Sequence, residues 1–518
     1  MKNKLLNNKG VRESSSVVSN NYIAIVLLGI LSVSMISCGQ SNKNIPVEFQ
    51  DYVMNKSTKA EYKKVYPQTV EEMLNYKFAP CPDSISKKQA MVDIEQFEYL
   101  LETAFSGREY WEKQGCDFNE IYSKLNEFVG NKEIICVLDL ENYMYSLLKG
   151  KILDSHFSIR GHKYHGFTKQ KRIYFADILL NKNREGRFIV IDSRVESVSV
   201  GRVFNDKDRE NYVFKTLSPK GSEHYLVGNW SYEKITEMNL YFDGKSTSVP
   251  FHTTRLKEAK FSKKPIFKVD TIENIPVVRS STFMNPKENI PLLTAFEEYG
   301  KNLKNEEKFI LNICNNDGGS SIHPLHFVQN FNTTVDAKDF TAFLFSPSIS
   351  QMYAQAVISD YPEIFEQPGV EEYRNEVLKH QELLEQYKKN PKKEWEFKID
   401  TSISQQGTYK GTMVVLMNRN TESSGETAVY YSKSVKNAIS VGENTYGAGM
   451  FSPAMKYYLP NSKICMQIAH HIDFIPGFQE SIGFIPDYWL DSDYPVEEIV
   501  KWLNNPETYQ FKFSKDDN

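Results

Sequence analysis

The stretch Thr412–Gly449 reads "TMVVLMNRNTESSGETAVYYSKSVKNAISVGENTYGAG". It opens on an unbroken apolar run, Thr412–Met417, with the length and β-branched content of a buried strand. A serine-rich turn follows, then a helical run, then a second turn that carries Gly447 and Gly449. A strand that turns sharply into a helix at small residues exposes a nucleophile beside unsatisfied backbone N–H groups. Ser423 and Ser424 are the candidates, and a serine hydroxyl needs a base to remove its proton. No lysine or histidine stands in the second turn, where Ala448 lies between two glycines, so the base has to come from elsewhere. The plain alternative is a helix N-cap, with Glu426 three residues after Ser423 as its capping-box partner.

Outward from this stretch, strand and helix patterns alternate. "IPVVRSSTF" reads as a strand, "LLTAFEEYGKNL" as a helix and "KFILNICNNDGGS" as a strand ending in a glycine-rich loop. "KICMQIAHHIDFIP" and "IGFIPDYWL" close the pattern before a final helix, "VEEIVKWLNN". Alternation of this kind predicts an α/β core over residues 269–518. Within it, Tyr373–Lys398 reads as a charged, solvated helix. Residues 51–168 carry apolar positions at three- and four-residue spacing, which predicts helices that end at the strand-like "HFSIRG". Residues 169–268 read as strands, with Asp243-Gly244 as a hairpin signal. The expectation is a mixed α/β fold with an N-terminal helical region and an inserted small β domain that frames substrate.

At 518 residues the chain exceeds one ordinary core, so two or three domains are expected. Hydrophobic residues at 40% and charged residues at 25% describe a globular protein. A net charge of -4 gives no electrostatic case for a nucleic-acid partner. Lys2, Lys4, Lys9 and Arg12 precede "YIAIVLLGILSVSMISC", an apolar run too short for a comfortable membrane span. Its end, "MISC" before Gly39, resembles a bacterial lipobox. Residues 1–37 would then be a signal peptide and Cys38 the lipidated start of a tether, 38–50, holding the chain to a membrane and facing the periplasm. An uncleaved signal anchor is the alternative.

Cys81, Cys116, Cys136, Cys314 and Cys465 are odd in number and lack a CxxC spacing, against both a zinc site and a fully paired framework. A bridge between Cys81 and Cys116 stays open. The pairs His162/His165, His323/His326 and His470/His471, the last with Asp473, never complete a ligand set, so no metal or other cofactor is expected.

Four blocks, in order, resemble the tail-specific, or carboxyl-terminal-processing, serine peptidases, including the tricorn-type core. They are "LLKGKILDSHF", "FILNICNNDGGS", "YKGTMVVLMNRNTESSGE" with "VGENTYGAG", and "ESIGFIPDYWL". The resemblance implies Ser423, three residues before Glu426, as nucleophile, with the Ser424 N–H facing the oxyanion. The lysine of one branch would stand at Ala448. The tricorn-like branch instead implies His156 as base and Glu480, three residues before Gly483, as acceptor for its other ring nitrogen. Asp154 ranks below Glu480, and Asp473 and Asp487 lie nearby in sequence. Gly318 and Gly319 would supply oxyanion N–H groups, although Cys314 stands where an arginine is common. The function so implied is a lipid-anchored serine endopeptidase acting on exported or unfolded polypeptides without a cofactor. An inactive peptide-binding lipoprotein and a carbohydrate- or lipid-handling lipoprotein are the competing readings. The sequence carries no signal of oligomeric state.

Overall fold

The computed structural model describes residues 46–54, 57–67, 80–130, 132–256, 265–284, 288–335, 340–354, 371–399, 407–511 and 513. Cys38 and the segment before it lie outside the described residues. Among the described residues no helix is long and apolar enough to cross a membrane.

Among the described residues, the longer helices of the N-terminal region are α1 (Lys87–Thr103), α2 (Phe118–Gly130) and α3 (Val137–Leu148). Ser86 starts α1, its backbone N–H reaching the Gln89 side chain at 2.9 Å while the Gln89 N–H reaches back to Ser86 Oγ. Phe118, Ile121, Leu125 and Val129 of α2 turn inward at the spacing that predicted a helix. After α3 the chain crosses a short loop holding Asp154 and His156. It then forms β1 (Ser158–Arg160) and β2 (Tyr164–Gly166).

Next come β3 (Arg172–Lys182), β4 (Phe188–Ser193), β5 (Val213–Thr216), β6 (His224–Ser231), β7 (Glu237–Phe242) and β8 (Lys245–Pro250). Asp243 and Gly244 join β7 to β8 with φ of 50° and 73°, the backbone that a two-residue hairpin turn requires. The α/β part then runs β9 (Lys268–Ile272), β10 (Ile275–Arg279), α4 (Ile290–Leu303), β11 (Lys308–Asn312), α5 (Ile322–Asn332) and β12 (Phe340–Phe345). It continues with α6 (Glu371–Lys389), β13 (Lys392–Ile399), β14 (Thr412–Met417), α7 (Ser424–Ser432) and β15 (Ala438–Gly442). The last elements are β16 (Phe451–Tyr458), β17 (Cys465–Phe474), β18 (Tyr488–Trp489) and α8 (Pro495–Asn504).

β10, β11, β14, β15 and β18 lie side by side and parallel. Val414 and Leu416 point to one face, where they share a core with Val496, Ile499 and Val500 of α8. Met413, Val415 and Met417 point to the other, packed with Leu293 of α4, Phe327 of α5 and Val429 of α7. Burial on both faces is why this strand reads as an unbroken apolar run instead of an alternating one.

Two expectations change. The β-rich stretch is not walled off from the core. β5 pairs in parallel with β18, Trp489 opposite Thr216, so β3–β8 continue the same large sheet. Phe175 and Leu226 accordingly share a core with Trp489. The charged helix also stops short of Lys398. It ends at Lys389, Asn390-Pro391 breaks it, and β13 follows with Lys393 and Trp395 buried. β13 pairs with β12, β12 with β17, and β17 with both β16 and β1, making a second sheet under the N-terminal helices. No disulfide joins Cys81 to Cys116.

Candidate active site

The site lies beyond the C-terminal ends of β11, β14 and β15, the edge where parallel sheets place their functional loops. Asn418, at the end of β14, accepts the Asn315 N–H at 2.9 Å and the Asn420 N–H at 3.1 Å. Thr421 Oγ1 donates to the Ile313 carbonyl at 2.9 Å, and the Glu422 N–H to the Asn316 carbonyl at 2.9 Å. These bonds zip the loop after β11 to the loop after β14. Between them Ser423 is held at φ 52° and ψ -119°. A non-glycine residue in that region costs about 1–3 kcal/mol. An ordinary N-cap sits in the extended region and needs no such strain. The sharp turn presents Ser423, half-buried, to a cavity of about 730 Å³.

Glu426 fixes the turn from beneath. Its Oε1 accepts Thr445 Oγ1–H at 2.6 Å and the Gly447 N–H at 2.7 Å, and its Oε2 the Ala448 N–H at 2.8 Å and the Ser423 N–H at 3.1 Å. Burial pushes this carboxyl up to about 7 although all these donors pull it down. The sequence marked Glu426 as a capping-box partner and as the marker three residues after Ser423; its reach to the second glycine turn depends on a contact 22 residues away. That contact sets Ala448 in the cavity wall with Ser423.

The glycine loop divides its tasks differently from the sequence expectation. Gly318 (φ 76°) donates its N–H to Asn316 Oδ1 at 3.0 Å, so that donor is spent. The N–H groups of Gly319 and Ser424 have no acceptor among the described residues, and Ser424 Oγ holds the Gly319 carbonyl at 2.7 Å. The pair open to an oxyanion is therefore Gly319 with Ser424. Gly318 supplies clearance instead: a Cβ there would lie 2.7 Å from Ser423 Cβ and 3.2 Å from its Oγ. Gly318→Ala is expected to lower turnover by about 10²-fold or more through this displacement, with the chain still folded by circular dichroism. Unchanged kcat in that variant would remove the clearance role.

His156 enters from the other sheet. Asp154 Oδ1 accepts the His156 N–H at 2.7 Å and the Phe157 N–H at 3.1 Å, while Gln467 Nε2 donates to the His156 carbonyl at 3.3 Å. Ser155 Oγ donates to the Gly447 carbonyl at 3.0 Å, tying this loop to the turn that carries Ala448. His156 lines the same cavity as Ser423, Gly319, Ser424 and Ala448. Its Nδ1 is buried and has no hydrogen-bond partner. Burial first, then His471, hold the imidazole down at about 4, with Asp473 acting in the opposite sense. At neutral pH the ring is therefore an uncharged proton acceptor.

Glu480 does not accept from that ring. Its Oε1 takes the Ser155 N–H at 3.0 Å and its Oε2 the Met450 N–H at 2.9 Å, so the two amides engage both oxygens and the carboxylate braces the backbone beside His156. Burial and the neighbouring Asp154 carboxyl push Glu480 well up, and burial raises Asp154 to about 7. Asp487 is committed to Ser440, at 2.7 and 2.8 Å. The histidine pairs are likewise engaged: His323 and His326 share Glu297, and His165 lies 3.2 Å from Glu141. Among the described residues, Asp177, His252 and Asp491 come close enough together to suggest a cation site. Arg255 already fills that position, 2.7 and 2.8 Å from the Asp177 oxygens.

A strained serine at the C-terminal edge of a parallel sheet, with two open N–H donors and a neutral histidine in one cavity, has the form of a serine peptidase. Residues 274–489 match the model of Peptidase family S41. The chain is a serine-type peptidase similar to that family over the matched stretch, and His156 lines the cavity from outside that stretch. Solved structures with a similar course include mature CPAF, 13% identical over 83% of this chain and 99% of that one, with a TM-score of 0.43. The photosystem II D1 C-terminal processing protease is 13% identical over 78% and 93% of the two chains, with a TM-score of 0.34. The tricorn protease is 11% identical over 80% of this chain and 35% of that one, with a TM-score of 0.32. No curated protein matches the chain.

Proposed function

We propose that the chain is a lipid-anchored endopeptidase that cleaves exported or unfolded polypeptides through Ser423. The observation that carries the catalytic part is the strained Ser423 sharing its cavity with a neutral His156 and with the open N–H groups of Gly319 and Ser424. Ser423 Oγ attacks the peptide carbonyl as His156 takes its proton. The two N–H groups receive the negative charge that develops on the carbonyl oxygen. His156 then gives the proton to the leaving amine, and water hydrolyses the acyl-enzyme by the reverse path. Glu480 and Asp154 hold the histidine loop and touch no reacting atom.

An unfolded substrate suits a half-buried serine in a cavity of about 730 Å³, because an extended strand of peptide reaches into a recess that a folded surface does not enter. The test of the catalytic part is a fluorophosphonate adduct, located by mass spectrometry. Attachment at Ser423 supports the reading; a folded, unlabelled chain would favour the peptide-binding alternative, which Ala448 in the place of a lysine motivates. The anchor is a separate matter and rests on the sequence before Gly39. Incorporation of an alkyne-bearing fatty acid, lost in Cys38→Ser, would support lipidation and a periplasm-facing membrane location. Incorporation that persists in that variant would refute it.

A further inference from the structure

We propose that Asp473, acting with His471, is the charge partner that sets the proton affinity of His156, in the place left by Glu480. The inference rests on the reading of His156 as base. Gln467, Ala469, His471 and Asp473 alternate onto one face of β17, and Gln467 holds the His156 carbonyl, so the histidine lies over that face. His471 and Asp473 line the same cavity as His156 and Ser423. The neighbouring strands present Asp473 in a defined way. Thr341, directly opposite in β12, donates to Asp473 Oδ1 at 2.6 Å. Ser452, opposite His471 in β16, lies 3.4 Å from Asp473 Oδ2 and 3.0 Å from His471 Nε2, and that nitrogen lies 3.2 Å from Asp473 Oδ2.

This cluster is not a second triad. The Ser452 hydroxyl and the Asp473 carboxylate meet the same nitrogen of His471, whereas a relay needs them on opposite nitrogens. His471 Nδ1 is buried with no partner, which leaves nothing for it to relay. What remains is a carboxylate on the cavity wall whose charge favours a proton on His156, and an imidazole whose charge opposes it. Other charged or titratable groups share the cavity: Lys398 on β13, Asp317 and Glu422 on the nucleophile side, Tyr164 on β2, Tyr430 and Tyr431 on α7, and Tyr446. Asp154 and Glu480 lie behind the histidine loop, their bonds made to backbone. Of all these, His471 and Asp473 stand on the strand face whose Gln467 holds the His156 carbonyl. The pair thus acts on the imidazolium formed as Ser423 gives up its proton.

The test measures, on the full chain in detergent, the pH dependence of fluorophosphonate labelling from pH 3.5 to 8 for wild type, Asp473→Asn and His471→Gln. Histidine ring NMR runs alongside, with the His156 signal located by its loss in His156→Gln. Asp473→Asn is expected to move the acidic midpoint down by about half a unit or more, and His471→Gln to move it up. Midpoints that stay put, or that move in the same direction, overturn the proposal. Should Asp473→Asn not fold, the direction seen in His471→Gln decides. A wild type that never labels defeats the reading of Ser423, and the NMR midpoints still decide this inference independently.

Discussion

Ser423→Ala is expected to abolish fluorophosphonate labelling and to lower peptide hydrolysis on the order of 10⁴-fold or more. The size follows from losing the covalent route, since the open donors of Gly319 and Ser424 alone can only polarise a carbonyl for attack by water. The backbone gives the experiment a second readout. Ser423 is held at φ 52°, where glycine carries no penalty. Ser423→Gly is therefore expected to be inactive yet more stable than Ser423→Ala, by about 1 kcal/mol in urea denaturation. A glycine variant no more stable than the alanine one would mean that the turn carries no strain. Retained labelling in either variant would mean that the nucleophile lies elsewhere.

His156→Gln is expected to lower turnover by about 10²–10⁴-fold, the usual contribution of general base catalysis. Its pH signature separates a base from a merely structural histidine. Because burial holds the folded ring at about 4, wild-type activity should stay level from pH 7.5 to about 5.5 and fall only near 4. In His156→Gln that acidic fall should vanish along with most of the rate. Stability moves by the same linkage. The unfolded chain takes a proton at the ordinary value of 6.5, which the folded ring refuses until about 4, so acidification through that window favours unfolding. His156→Gln should flatten the loss of stability between pH 6.5 and 4. An equally steep loss in the variant would show that His156 is not the group responsible.

Local chemistry made much of this molecule legible. The apolar run before Ser423, the small residues of the turn and the glycine loop after β11 each carry their geometry in their own composition. They took their expected places at one edge of the sheet. Features decided by distant partners were not legible. Asn390-Pro391 was a break in plain view, but the charged residues around it masked the strand that follows. Nothing within 169–268 indicates that Thr216 will meet Trp489, so an extension of the core sheet looked like a separate insertion. Glu480 is expected from the sequence to accept from the His156 ring and instead accepts the Ser155 and Met450 N–H groups, because which hydrogen bonds a carboxylate makes depends on which amides reach it first. Gly318 and Gly319 are adjacent and chemically alike, and only the Asn316 side chain decides which of them keeps a free N–H.

Ser423 is set by the cores on either face of the parallel sheet, whereas His156 is set by the core beneath the N-terminal helices, which the second sheet shares. On the proposed mechanism, the stretch that matches the family model, 274–489, contains the nucleophile without its base. If His156 is that base, the smallest piece able to turn over would have to reach back more than a hundred residues before the match to include it. A fragment cut at the boundaries of the family match would keep the fingerprint and lose the reaction.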